Sequence, residues 1–220
     1  MIRAVIFDVG ETVVDETRAW GEWADWLGVP RLTFFATLGL VIERGLHHRS
    51  VFAELRPGLD FEAELARRLQ AGPPPFRIGR ADLYPDARPC LEALRAQGRW
   101  LALAGNQPAS AERDLLALGL PVDRVLCSEA LGVEKPSPGF FARLASEANC
   151  SASEIAYVGD RLDNDVLPAL EAGMRAVFLR RGPWGVAHAR RPEVSRADAR
   201  IDSLVELPAL LDALDAGARA

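Results

Sequence analysis

Five short apolar runs, set apart by stretches with helical patterning, constrain this chain more than any other feature. They are residues 4–9 (AVIFDV), 100–104 (WLALA), 124–127 (RVLC), 155–158 (IAYV) and 176–179 (AVFL). Each is too short for a helix and has no polar alternation, which is the pattern of strands buried on both faces. Helices are expected between them at 85–97, 108–118, 137–148 and 163–172, with a last one at 207–214. Gly98, Gly119 and Gly173 sit where three of these should stop, and Pro138 and Pro208 where two should start. Strands alternating with helices predict an α/β fold, a doubly wound parallel sheet covered on both faces. In such sheets the C-terminal ends of the strands share one edge, where ligands bind.

Residues 15–84 break the rhythm. They hold no convincing strand and predict helices at 15–27, 32–44, 51–55 and 61–70, before the breaker Gly72-Pro73-Pro74-Pro75. The expected organisation is a core of residues 1–14 and 85–220 with an inserted α-helical domain at 15–84. Trp20, Trp23 and Trp26 fall three residues apart. Trp23 and Trp26 read as packing, and Trp20, nearest the start of the insertion, is the candidate to face a ligand. Phe34, Phe35 and Leu38 also read as packing, and His47-His48 as polar surface.

At 220 residues with a net charge of −5 and no basic cluster beyond Arg doublets, the chain is a poor candidate for nucleic acid or an anionic membrane. The longest apolar stretch, 32–42, is about half of what a bilayer span needs. Cys90, Cys127 and Cys150 form neither a zinc spacing nor a disulfide framework. With residues 1–7 running straight into a strand, a cytoplasmic protein is expected, as monomer or homodimer. Its basic residues are 25 arginines and one lysine, Lys135. A lysine kept at one site suits a task needing a compact point charge in place of a planar fork.

Three strand ends carry polar residues that a purely structural sheet does not require. Asp8 follows the first run, Gly105-Asn106 the second, and Gly159-Asp160 the fourth, with Asp163, Asn164 and Asp165 close behind. Taken singly, each has an ordinary reading as a turn, cap or first-turn acid. If the strands are neighbours, Asp8, Asp160 and Asp165 converge, and three crowded carboxylates call for a hard divalent cation such as Mg²⁺. Lys135, just before Pro136, would be a fourth corner, holding Asp8 ionised and neutralising an anionic substrate.

Four segments carry a family resemblance. Phe7-Asp8-Val9-Gly10-Glu11-Thr12, Leu103-Ala104-Gly105-Asn106, Val133-Glu134-Lys135-Pro136 and Val158-Gly159-Asp160-Arg161-Leu162-Asp163-Asn164-Asp165 resemble, in order, the four motifs of haloacid dehalogenase-like hydrolases. The resemblance implies a Rossmann-like core with a helical cap between the first two motifs, and a small phosphorylated substrate. It implies that Asp8 attacks phosphorus to form an aspartyl-phosphate. Asp8, the Gly10 carbonyl and Asp160 would ligate Mg²⁺, and Asp165 would support the metal's water shell or orient Lys135. Lys135 would stabilise the phosphoryl oxygens, with Gly105 and Asn106 beside the phosphate.

Two positions depart from the family pattern. Family phosphatases have an Asp where this chain has Gly10, and that Asp protonates the leaving group; such assistance is typically worth roughly 10²–10⁴-fold. Gly105 stands where a Ser or Thr binds a phosphoryl oxygen. One reading is a phosphatase whose acid comes from elsewhere, with Glu11 the nearest candidate and Asp15 a weaker one. A second is different chemistry. The family's Schiff-base route needs a cap lysine, and residues 15–84 contain none. The third is a catalytically degenerate protein that binds metal and a phosphorylated ligand or partner. Gly182-Pro183-Trp184-Gly185 is expected as a turn packed on the core, and His188 has no assigned role.

Overall fold

A computed structural model of the chain describes residues 1–72 and 77–217; Pro73, Pro74 and Pro75 of the expected breaker lie outside the described residues. Six strands form one parallel sheet: β1 (Ala4–Phe7), β2 (Trp100–Gly105), β3 (Arg124–Cys127), β4 (Ile155–Gly159), β5 (Arg175–Leu179) and β6 (Ala199–Ile201). Their order is β3-β2-β1-β4-β5-β6. The fold is the α/β class that the alternating pattern predicts, and it is Rossmann-like as the family resemblance implies. The strand not expected is β6, whose sequence ARI is too short and too polar to stand out. It pairs with β5 at the sheet edge, matching Val177 to Ala199.

The central strand is β1, fully buried, with Phe7 in register with Leu103 of β2 and Val158 of β4. That register is what sets Asp8, Gly105 and Asp160 at the same edge. On one face Ile6, Ala102 and Tyr157 pack with Phe140, Phe141 and Leu144 of the helix Pro138–Ala148. Elsewhere the helix Ala87–Ala96 buries Cys90, Leu91 and Leu94 and contacts β2 and the closing helix Leu207–Gly217. Each such fully buried Leu or Phe contributes roughly 1.5–3 kcal/mol. Residues 182–185 open a helix, Gly182–His188, in place of the expected turn. Pro183 is the cause, since proline fits a first helical turn as readily as it fits a bend.

The chain divides into two compact units, Met1–Asp15 with Ile78–Ala220, and Glu16–Arg77. The second is built from helices Thr17–Leu27, Arg31–Glu43, Ser50–Leu55 and Phe61–Ala71, with no strand among the described residues. Gly28, in the left-handed region at φ 64°, ends the first helix and returns its N–H to Ala24 and Asp25. Phe34, Leu38, Ile42 and Phe52 form its core. The Trp23 ring stands edge-on to Phe52 at 4.9 Å. The Trp26 indole donates to Glu64 at 2.6 Å. No single helix among the described residues is long and apolar enough to cross a membrane.

Candidate active site

The turn after β1, the loop after β2 and the segment after β4 bring the charged residues together. Asp8, Asp160 and Asp165 each offer an oxygen within 4.8 Å of the others, and all three are buried. The Lys135 ammonium, 3 % exposed, donates to Asp8 Oδ1 and to Asp165 Oδ1, each at 2.6 Å. So the four charged corners that the strand ends suggested do converge, with the lysine between two carboxylates.

Electrostatics in this cluster follow from burial. Desolvation alone would strip the proton from Lys135, but Asp165 and Asp8 outweigh it and hold its pKa well above the usual lysine value. Burial, with repulsion from Asp165 and Asp8, pushes the Asp160 carboxyl well up. Asp165 is pushed up too, by burial and by Asp8, against the pull of Lys135. Asp160 Oδ2 is buried with no hydrogen-bond partner. A buried carboxylate oxygen facing two others is the donor set a hard, oxygen-loving divalent cation needs, so the residues fit Mg²⁺. Both Asp165 oxygens already have partners, Oδ1 the lysine and Oδ2 the Arg161 N–H at 3.1 Å.

The segment that carries Asp165 is a π-turn, Leu162–Val166, a form common at functional sites. It folds Asp165 back over Gly159, where a β-carbon would fall 2.6 Å from that of Asp165. Glycine at 159 is therefore the condition for Asp165 to reach Lys135. His188, without a role in the sequence reading, is buried and accepts the Leu162 N–H on Nδ1 at 3.0 Å. It thereby satisfies a backbone donor at the start of the π-turn. Arg161 pairs with Asp163 through two bonds, at 3.1 and 2.7 Å.

Gly105 and Asn106 have geometric roles that the sequence did not reveal. A β-carbon on Gly105 would sit 2.9 Å from Asp8 Oδ1, so the missing side chain is the space that the Asp8 carboxylate fills. Asn106 clamps the lysine's own backbone, its Oδ1 accepting from Lys135 N at 2.8 Å and its Nδ2 donating to Lys135 O at 2.9 Å. Tyr157 reaches from β4 past β1 to donate to Ala104 O at 2.9 Å, and the Lys135 ammonium lies 5.6 Å from its ring centre. Gly10 is half-buried and bridges to Val14, which closes the turn after β1. Glu11 is buried, and its Oε2 accepts the Tyr84 hydroxyl at 2.7 Å. Trp20, in the helical unit, tilts against Phe34 at 6.1 Å and donates from Nε1 to Glu16 at 3.2 Å.

A parallel sheet with β1 at its centre, an aspartate at the tip of that strand and a lysine bridging two carboxylates form a charged site at the strand ends, where ligands bind in such sheets. The chain belongs to the haloacid dehalogenase-like hydrolase family, whose sequence profile matches residues 2–173. It is 30% identical over 207 residues to a glyceraldehyde 3-phosphate phosphatase of Methanopyrus kandleri, covering 84% of this chain and 86% of that one. It is 32% identical over 220 residues to a plasmid phosphoglycolate phosphatase of Cupriavidus necator, covering 94% and 92%. Among solved structures, a HAD phosphatase from Thermococcus onnurineus superposes with a TM-score of 0.60 at 25% identity, covering 96% of this chain and 98% of that one.

Proposed function

We propose that this protein is a Mg²⁺-dependent phosphatase that cleaves a small phosphorylated metabolite through an aspartyl-phosphate on Asp8. The observation that carries the reading is the Lys135 ammonium held 2.6 Å from both Asp8 and Asp165 beside the unpartnered Asp160 oxygen. Asp8, at the tip of β1 with one oxygen on Lys135, would be the nucleophile. Lys135 is positioned to pair with the phosphoryl oxygens as charge builds on them, and Asp165 holds it there. Asn106 fixes the lysine's backbone and so the reach of its side chain. Asp8, Asp160 and the Gly10 carbonyl would hold the metal, with Asp165 behind them. When bound, the ion neutralises the crowded carboxylates and the phosphoryl group. The helical unit Glu16–Arg77 is read as the cap that selects substrate, with Trp20 as its contact residue, and the protein as cytoplasmic, a monomer or homodimer.

The second reading is a degenerate member that binds metal and a phosphorylated ligand without efficient turnover. It is favoured by glycine at 10, where family phosphatases have an Asp. Purified protein incubated with phosphorylated metabolites and an aryl phosphate, in Mg²⁺ and in EDTA, separates the two. Turnover that needs Mg²⁺ and vanishes in Asp8→Asn supports the phosphatase. Intact ligand binding without turnover, with activity gained in Gly10→Asp, supports the degenerate protein.

A further inference from the structure

The turn after β1 is held by Glu11 and Tyr84, neither of which holds the metal or the phosphate in either reading. Glu11 has φ +53°, a conformation unfavourable for a residue with a β-carbon and kept only where the surroundings impose it. Its N–H donates to Val14 O at 2.7 Å, closing the turn. Its side chain lies against Gly182, where a β-carbon would fall 2.7 Å from the Glu11 Cβ and 2.8 Å from its Cγ. Gly182 is itself left-handed, at φ 64°. The carboxylate takes the Tyr84 hydroxyl at 2.7 Å. Burial, then the Glu11 charge, push the Tyr84 phenol far above its usual pKa, so it serves as a donor.

Tyr84 is anchored in its turn. Its N–H donates to Val13 O at 3.0 Å. The Arg181 guanidinium covers its ring at 4.2 Å and donates to Thr12 O at 2.9 Å. Arg181 also pairs with Asp86, which accepts from Ser203 Oγ at 2.7 Å and Leu204 N at 3.0 Å. Three segments distant in sequence are thus tied to one turn: Tyr84 and Asp86, Arg181 and Gly182, and Ser203 and Leu204.

We propose that Tyr84 and Glu11 form a clasp that fixes the turn carrying Asp8 and Gly10, making both of them positioning residues for the nucleophile and giving Glu11 a task other than proton donation. A carboxylate committed to a tyrosine hydroxyl and wedged against a glycine is built to stay still, whereas a proton donor must face the leaving group. The clasp accounts for a glutamate at a strained φ, since from that conformation its carboxylate meets the Tyr84 hydroxyl.

The test compares Tyr84→Phe, Glu11→Gln and Glu11→Ala in the full chain. Steady-state kinetics with an aryl phosphate and Mg²⁺ are one arm, and amide hydrogen exchange of residues 9–14 is the other. Losing one hydrogen bond to a charged group should lower kcat about tenfold in Tyr84→Phe and in Glu11→Ala, with KM within about twofold and the double variant no worse. Glu11→Gln, which keeps an acceptor for the hydroxyl, should stay within about threefold of wild type and keep the shape of its pH profile. The Glu11 and Val14 amides should exchange faster in Tyr84→Phe and Glu11→Ala than in Glu11→Gln. The clasp is overturned if Glu11→Gln is as damaging as Glu11→Ala and loses one limb of the pH profile, which marks a proton donor. It is equally overturned if Tyr84→Phe matches wild type in exchange. The kinetic arm rests on the phosphatase reading, but the exchange arm does not, so a chain without turnover still tests the clasp.

Discussion

Replacing Lys135 with methionine keeps the length of the side chain and removes its charge. The ammonium is buried and bonded to Asp8 and Asp165 at 2.6 Å each, so the variant leaves two buried carboxylates without their cation. Breaking a buried pair by deleting one partner costs about 3–5 kcal/mol. In a chain of this size each kcal/mol is worth about 2–4 °C, so the melting temperature at pH 8 should fall by roughly 6–20 °C. The carboxylates can escape part of the penalty by taking up a proton, which gives the deficit a pH dependence of known sign. Burial and Asp8 already push the Asp165 carboxyl up to about 6 against the pull of Lys135, and without the lysine it rises further, so the folded state holds more protons. Stability therefore falls as pH rises through that window, by about 1.4 kcal/mol per pH unit for each proton. In the wild type the lysine's own contribution is constant there, because its raised pKa places its loss above the unfolded lysine value of about 10.4. Urea denaturation of both proteins in EDTA at pH 5 and pH 8 gives the comparison. The deficit should be small at pH 5 and full at pH 8, and excess Mg²⁺ should narrow it by supplying another cation. A deficit equal at the two pH values, or below about 1 kcal/mol at pH 8, refutes the reasoning.

Other perturbations test separate parts of the site. Gly105→Ser puts a β-carbon 2.9 Å from Asp8 Oδ1, so it should displace the carboxylate and lower kcat, with about 1–3 kcal/mol lost from overpacking; higher activity would instead mean that the site lacked a hydroxyl donor. His188→Ala leaves the buried Leu162 N–H without its Nδ1 acceptor and should cost about 1–3 kcal/mol in urea denaturation, together with weaker Mg²⁺ binding by calorimetry; unchanged metal affinity would detach His188 from the π-turn. Burial pushes the Cys90 and Cys127 thiols up to about 12, whereas Cys150 is only half-buried. Iodoacetamide at mildly alkaline pH should modify Cys150 first, as read by peptide mass spectrometry, and equal labelling of all three would contradict the buried placement.

What could be read from the sequence, and what could not, divides along physical lines. Asp8 and Asp160 lie one residue beyond parallel strands, and once the alternation predicts a sheet, their edge follows from strand direction alone. Lys135 stood out because every other basic residue is an arginine. The strand β6 was hidden because three residues carry no period. The clamp from Asn106 to the Lys135 backbone spans 29 positions and depends on where two loops meet. Tyr84 falls at the end of the expected insertion with nothing to mark it, since its partner lies 73 positions away. Gly105 looked like a lost hydroxyl in the sequence, and only the position of the Asp8 oxygen reveals it as occupied space.

The lone lysine has a practical consequence. Lys135 is the chain's one side-chain amine, and it is buried at the strand edge that holds Asp8 and Asp165. An amine-reactive reagent therefore finds its one side-chain target only when Asp8 and Asp165 let go. The rate of that labelling, set against the rate for a lysine side chain in a short peptide, is a clock for how often this edge opens, readable without adding any probe.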